Sequence, residues 1–467
     1  MDAPVAGQGA APSPDRPYPP AAQAWTACAI LTLGCVLAFM DRGILSLFIQ
    51  PIQRDLLLSD TQISLLIGFA FAVFNALFGL PIARLVDSGN RKVIAAIGVI
   101  VWSTANGLCG VAVNFWQMFG ARIGVGAGEA AVTPAAVSLL ADYFPPHRRG
   151  TALGVVYSGM FLGAGGVLLL GGLIWRAIGD RLITVPLLGP LHSWQVILIG
   201  FAGLGLIVGP LTLLIREPVR RDGDLKAAGA VTVSEVGRFY RDNARTMFGH
   251  NIGFCLHNFA LHAGSAWLPV ILMRTQGWPL PKAGLVYGLM MIVLAPMGSI
   301  LAGTLADRVV GRGRSDGRLI VAMAGAGVSA IASLAIGLFH DPVIVIPALM
   351  AFSFFAAFTT PLAPGALQDI MPNAMRGQAT AIYVFWTNVV SGGTAVTLVA
   401  LLTDYVFRDP LRTNLSFAIV SAAGSICAVL ILAGTRANFR RLAAALARAH
   451  QARVDDAATL AVEIATA

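Results

Sequence analysis

Charge is what this sequence has least of. Asp, Glu, Lys and Arg together make up 12% of its 467 residues, against roughly 25% in an ordinary soluble domain. A chain of this length folding in water would need more charge than that to keep its surface wet. A soluble fold is therefore excluded, and lipid must cover much of the surface. No Gly-x-x-x-x-Gly-Lys-Ser/Thr loop occurs, so ATP hydrolysis by this chain is not expected. The five cysteines (Cys28, Cys35, Cys109, Cys255 and Cys427) fall inside apolar runs without disulfide or metal-ligand spacing and read as small packing residues. His257 and His262 have no acid between them, which excludes a zinc-protease helix of the His-Glu-x-x-His kind. No catalytic constellation, metal site or cofactor is expected. Residues 1–22 are rich in Pro and Ala and have neither a basic n-region nor a cleavage-site pattern, so they read as a disordered cytoplasmic tail rather than a signal peptide.

What is present is apolar. Hydrophobic residues reach 57%, and 51 glycines suit helices that must approach closely with no hydrophobic force between them. A membrane-spanning helix needs about 20 mostly apolar residues. Twelve such runs lie near 24–50, 62–83, 93–112, 115–140, 150–174, 194–215, 246–273, 283–306, 319–339, 343–368, 378–403 and 413–435. The chain thus divides into a tail (1–22), a six-helix bundle (23–215), a central loop (216–245), a second six-helix bundle (246–435) and a helical tail (436–467), with 175–193 left as an ambiguous outer loop. The net charge of +9 sits in short clusters between the apolar runs, which is the positive-inside pattern rather than a nucleic-acid stripe. The clusters place both termini and the central loop in the cytoplasm. A multi-pass protein of the cell membrane follows, and a monomer is expected.

The two halves are related to each other. Asp142, Pro145, Arg149 and Gly150 recur as Asp369, Pro372, Arg376 and Gly377, each 227 residues further on, and Leu85-Val86-Asp87 recurs as Leu305-Ala306-Asp307 after 220. A duplicated six-helix unit places a substrate path between the halves, near the bilayer midplane.

Four ionisable residues interrupt the apolar runs. Asp41 and Arg42 lie in the first helix, Arg122 and Glu129 in the fourth, and each costs several kcal/mol at membrane depth unless paired or wetted. Arg122 and Glu129 share a face but are about 10 Å apart along the axis, while adjacent Asp41 and Arg42 point about 100° apart. Neither helix can neutralise itself, so pairing across the two is expected, with Asp41 and Arg122 as the first choice. Arg42, Arg122 or water is then left for Glu129. One reading is a structural ion-pair network. The other is a proton site centred on Glu129, the deeper carboxylate, with Asp41 second: burial disfavours a carboxylate's charge, a nearby arginine favours it, and a conformational change alters the balance. An arginine freed by protonation, Arg122 or Arg42, could hold a phosphate or carboxylate headgroup.

Several segments carry a family resemblance. Gly303-Thr304-Leu305-Ala306-Asp307-Arg308 is similar to one copy of the major facilitator signature loop, and Asp87 through Arg91-Lys92 to the other, although Ala83, Ser88 and Asn90 depart from its pattern. Within that superfamily, Phe39-Met40-Asp41-Arg42, Asn90-Arg91-Lys92 and Arg122-Ile123-Gly124-Val125-Gly126-Ala127-Gly128-Glu129-Ala130 resemble the Spinster branch. The resemblance implies an all-α membrane protein of twelve transmembrane helices, in two pseudo-symmetric bundles that rock to alternate access. It implies proton-linked movement of an amphipathic lipid such as a lysophospholipid or a sphingoid-base phosphate. It also implies that Asp87, Arg91, Lys92, Asp142, Arg148, Arg149, Asp307 and Arg308 form cytoplasmic contacts between the halves that break on opening.

His257, Asn258, His262, Tyr383, Trp386 and Asn388 are candidates for the wall of a substrate cavity. Packed or interfacial histidines would account for the first and third as well. Asn75 and Asn106 read as interhelical hydrogen bonders. A carrier of small organic anions or drugs is the alternative function, and a non-transporting receptor the alternative of another class.

Overall fold

The computed structural model describes residues 18–220, 232–372 and 375–466. The N-terminal residues before Tyr18 and part of the central loop, including Lys226, lie outside the described residues. The spanning helices are numbered in chain order: α1 (Ala21–Leu47), α2 (60–88), α3 (Arg91–Gly110), α4 (Phe115–Tyr143), α5 (Pro146–Ile178) and α6 (Ser193–Thr212) form one half. The other half contains α7 (Ala244–Arg274), α8 (Leu280–Gly311), α9 (Gly317–Leu338), α10 (Pro342–Asp369), α11 (Arg376–Phe407) and α12 (Thr413–Thr466). Eleven of them are long and apolar enough to cross a membrane. The twelfth, α7, has 31 residues, about 46 Å of helix, and its hydropathy is lowered by His250, Asn251, His257, Asn258 and His262.

Local sequence sets the boundaries. Asn90 and Asn114 cap α3 and α4 by accepting from the backbone N–H groups of Val93 and Gln117, and Ser59 forms a capping box with Gln62 ahead of α2. Within the segment 175–193, α5 runs on to Ile178 and a β-hairpin follows, Leu182–Val185 against Gly189–His192. The tail read as helical continues α12 without a break to Thr466, because no Pro or Gly follows Gly434 to stop it.

Two helices depart from α geometry. In α2 the stretch Leu65–Phe69 is π-helical, and in α11 so are Thr387–Thr394 and Leu402–Phe407. The stretches Leu65–Phe69 and Thr387–Thr394 meet where the halves cross: a Cβ on Gly68 would lie 2.8 Å from the carbonyl oxygen of Gly392. The other crossing, α5 on α8, is made by glycines, and a Cβ on Gly288 would lie 2.7 Å from the carbonyl oxygen of Gly165.

The cores show how the halves sit. The largest cluster of buried apolar side chains runs through both halves, from Phe48, Trp102 and Trp194 to Trp267, Phe352 and Phe417. Towards the face that carries the termini it divides into separate clusters, one around Leu31, Leu139 and Tyr143 and one around Phe254, Leu319 and Phe439. The halves are joined on the face opposite the termini and parted on the face that carries them.

Candidate functional site

The intramembrane charges converge: Glu129 takes Arg42, one of the partners left open for it, while the first-choice pair of Asp41 with Arg122 is not made. Arg42 on α1 meets Glu129 on α4, its Nη2 2.6 Å and its Nε 2.7 Å from Oε2. The carboxylate is 1% exposed and the guanidinium side chain 32% exposed, so the pair has one dry end and one wet end. The guanidinium carbon lies 4.6 Å from the Phe39 ring centroid and 4.5 Å from that of Phe71, a sandwich that suits a planar, weakly hydrated cation. Glu129 Oε1 is buried, with no hydrogen-bond partner among the described residues.

Asp41 and Arg122 do not form an ion pair. Asn106 on α3 donates to Asp41 Oδ1 at 2.8 Å, which takes that carboxylate towards α3. Arg122 turns to α2, where its Nε donates to the carbonyl of Leu66 at 3.1 Å. That carbonyl lies in the π-helical stretch, whose altered hydrogen-bond spacing makes a backbone oxygen available to a side chain. Both terminal nitrogens of Arg122 are buried without a partner among the described residues, and its guanidinium lies 5.6 Å from the Phe71 ring centroid. Two acids and two arginines are thus enclosed together. Only one close pair forms, and Phe71 separates the two cations.

Arg42 also faces a cavity between the halves. It encloses about 1020 Å³ counting its open mouth, and α1, α2, α5, α7, α8, α10 and α11 contribute to its wall. Phe39, Phe71, Phe161, Leu261 and Met291 make the wall predominantly apolar, with Arg42 as its cation and His262, Thr360 and Asn388 as neutral polar groups on the far wall. Of the expected cavity residues, His262 and Asn388 line it. Asn258 and Tyr383 sit behind and are hydrogen-bonded to each other at 3.0 Å. His257 and Trp386 do not line it: His257 is fully buried inside its bundle, and Trp386 is 42% exposed elsewhere. An α-helix shows any one target only about a third of its residues, and polarity alone does not say which third.

The expected gating charges form contacts within their own halves. On the face that carries the termini, Arg91 pairs with Asp142 and with Glu217, the latter at 2.6 Å. Arg318 pairs with Asp369 at 2.5 Å and with Asp307 at 3.3 Å. Arg91 and Arg318, like Asp142 and Asp369, are 227 positions apart, so the duplication extends to an ion pair. Lys92 donates to the Leu213 carbonyl and Arg149 to the Phe144 carbonyl, while Arg148 and Arg308 are exposed. The side chain of Asp87 lies outside the described residues. With the halves parted on this face, the expected contacts between them are not made in this state.

The opposite face holds a latch that was not foreseen. Arg274 at the end of α7 grips Asp60 at the start of α2 through both guanidinium nitrogens, each at 2.7 Å, and also donates to Gln53 at 2.9 Å. Asp404 at the end of α11 accepts from the backbone N–H of Thr61 at 2.7 Å and from its hydroxyl at 2.6 Å. The signal available in the sequence was Arg274 at the end of an apolar run, one of the few cations on a face poor in them.

Comparison with known proteins settles the family. The family model described as Major Facilitator Superfamily matches residues 31–396. The chain belongs to the Major Facilitator Superfamily. It is 30% identical over 392 residues to an MFS-type efflux pump of Mycolicibacterium smegmatis, covering 83% of this chain and 86% of that protein. It is 28% identical to a probable L-galactonate transporter of Escherichia coli, covering 66% and 68%. It is 26% identical to the sphingosine-1-phosphate transporter SPNS2 of Xenopus tropicalis, covering 56% of this chain and 48% of that one. A solved bacterial homologue of the human lysosomal transporter Spinster, inward-facing and unoccupied, superposes with a TM-score of 0.72 at 22% identity, covering 91% of this chain and 98% of that one. The chain therefore has the facilitator fold, and the segments that resemble the Spinster branch agree with its similarity to SPNS2 and to that solved homologue.

Proposed function

We propose that this protein is a proton-coupled secondary transporter that moves an amphipathic, anionic, lipid-like molecule by alternating access. The Arg42–Glu129 pair carries the reading, since it is a buried carboxylate whose single close partner is a cation on the wall of an apolar cavity. A proton taken up on Glu129 removes the charge that holds Arg42 and leaves the guanidinium free to receive a phosphate or carboxylate in planar, bidentate fashion. Loss of that proton restores the pair and displaces the head. Asp41 and Arg122 lie beside the pair and set its electrostatic surroundings. Proton and anion binding thus favour each other through one salt bridge, which links their movements.

The positive-inside pattern orients the molecule with both termini, and the parted face, in the cytoplasm. The Arg274–Asp60 latch and the Asp404–Thr61 contact then close the outer face. They must break as the duplicated loops, with Asp87, Arg91, Asp142, Asp307 and Arg308, come together on the cytoplasmic face. A second reading is a carrier of small carboxylates, favoured by the names of the galactonate and hexuronate transporters among the relatives. The predominantly apolar wall favours the amphipathic substrate.

The test is uptake into proteoliposomes of purified protein, offered lysophosphatidate, sphingosine 1-phosphate and galactonate separately, with and without an imposed pH gradient, for wild type and Glu129→Gln. The lipid reading expects one of the two lipids to move, the gradient to accelerate it at least tenfold, and the variant to bind it but ignore the gradient. Movement of galactonate alone overturns the substrate class. A variant that follows the gradient as wild type does removes Glu129 from the coupling.

A further inference from the structure

A second cavity meets the first at Arg42. It lies inside the first half, between α1, α4 and α5, and encloses about 470 Å³ including its opening. Phe39 and Arg42 belong to the walls of both cavities, and Glu129 to the wall of this one. Its wall is built from three helical stripes. On α1, Leu31, Cys35, Ala38 and Arg42 recur at intervals of three or four; on α4, Thr133 follows Glu129 by four and Ala136 and Val137 follow Thr133 by three and four; on α5, Val156 and Tyr157 follow Leu153 by three and four. Such intervals place each set on one face of its helix.

The charged residues sit together at one end. Beyond Arg42 and Glu129 the stripes run towards the face that carries the termini and hold no further Asp, Glu, Lys, Arg or His. From Arg42 back to Leu31 the groove is about 16 Å long. Thr133 and Val137 are exposed in it, while Glu129 Oε1, buried at its head, has no partner among the described residues. The groove therefore has a cation and an acid at the end where it meets the first cavity, and mainly apolar walls along its length. That layout complements a molecule with one anionic head and one hydrocarbon chain.

We propose that this groove holds the hydrocarbon chain of the transported molecule, with the head at Arg42 and the chain running along α1, α4 and α5 within the first half alone. The inference rests on the amphipathic-substrate reading and adds to it a place for the chain and a preference for a single chain. Chain length, rather than head chemistry, is then read by the first half. Binding along the groove covers Thr133 and Val137 with methylene groups, and each methylene removed from water tightens binding. Affinity rises with chain length until the groove is filled.

The experiment compares uptake of lysophosphatidates with 6-, 12- and 18-carbon acyl chains by wild type, Val137→Trp, Thr133→Phe and Leu261→Trp, the last a filling of the central cavity. Thr133 and Val137 are exposed, so these substitutions do not disturb packing, and melting curves of the purified variants verify that. The expected result is that Val137→Trp and Thr133→Phe lower uptake of the 12- and 18-carbon lipids at least tenfold and that of the 6-carbon lipid less than twofold. Leu261→Trp lowers all three alike. Equal losses at every chain length in the groove variants, or no loss, overturn the groove as the chain site. Wild type that moves lysophosphatidate without regard to chain length overturns it while leaving the transport reading intact. Wild type that moves none of the three overturns both.

Discussion

The two halves share a frame and differ in what they hold at its centre. In the first half, Asp41, Arg42, Arg122 and Glu129 are enclosed within apolar helices. In the second, the six apolar runs between 246 and 435 hold no Asp, Glu, Lys or Arg outside the connecting loops and helix ends. Its central polar groups are neutral: Asn258 donates to Tyr383, His262 Nδ1 lies 3.0 Å from the carbonyl oxygen of Asn258, and His250 lies 2.9 Å from the carbonyl oxygen of Ala363. Yet Arg91–Asp142 is repeated 227 positions later as Arg318–Asp369. Duplication has kept the ion pair that braces each bundle at the face of the termini, while the centres have diverged. The comparison teaches that charge switching belongs to the first half and that the second supplies a neutral wall.

The strongest way to break this division is to remove a charge from one half and a polar group from the other. Arg42→Ala is expected to abolish gradient-driven uptake, by a factor of about a hundred or more, because it removes the cation and leaves Glu129 buried and unpaired. His262→Ala and Asn388→Ala, on the opposite wall, are expected to raise the half-saturation concentration by less than tenfold and to leave the response to the gradient unchanged. Uptake kinetics at two pH gradients decide it. A His262 variant that loses the gradient response would mean that both halves carry protons.

The duplicated ion pair offers the next contrast. The Arg91–Asp142 pair is almost wholly buried, whereas Arg318 and Asp369 are 21% and 29% exposed. Stranding a buried charge costs about 3–5 kcal/mol, and losing a half-wet pair costs about 1–2 kcal/mol. Arg91→Ala should therefore lower the melting temperature of the detergent-purified protein several degrees more than Arg318→Ala. Equal shifts would show that burial does not distinguish the copies.

The latch on the opposite face binds the halves to each other. Arg274→Ala is expected to shift the population towards opening on that face without unfolding either bundle. Spin labels at Pro279 and Leu57, exposed positions on loops of the two halves, should report a longer and broader distance distribution in the variant. An unchanged distribution would leave the glycine packing of α5 on α8 as what holds that face closed.

These contrasts also show what could be read from the residues. The twelve runs, the duplication and the four intramembrane charges follow from periodicity, hydropathy and spacing, because lipid forces each of them to be visible in composition. The partner of Glu129 does not follow. It depends on Asn106 taking Asp41 and on the carbonyl of Leu66, within a π-helical stretch, taking Arg122. No residue type announces such a stretch. His257 and His262 looked equivalent on one helix, and only the rotation of α7 places one on the cavity wall and the other inside the bundle. The Arg274 latch was hidden for a similar reason: Asp60 precedes Arg274 by 214 positions and reads alone as a helix-capping acid.

The smallest expected effect lies in the loops of the face opposite the termini, where each half again has an ion pair. In the first half Arg54 grips Asp180 at 2.6 and 3.2 Å. In the second, Arg412 stands 3.8 Å from Asp409. The hydrogen bonds from Arg54 hold the Asp180 carboxyl below its ordinary value, while Asp180 raises the Arg54 guanidinium. A carboxyl lowered in the folded state adds stability that is fully present above its unfolded value of about 3.9 and disappears as pH falls through the lowered one. Both partners are largely exposed, so the contribution is about 0.5 kcal/mol. Asp180→Asn should therefore melt slightly below wild type, by a difference that is flat between pH 7 and 5 and closes below about pH 4. Asp409→Asn, whose partner is beyond hydrogen-bond reach, should match wild type throughout. A deficit for Asp180→Asn that grew as pH fell would have the wrong sign for a depressed carboxyl and would assign the effect to packing of the hairpin instead.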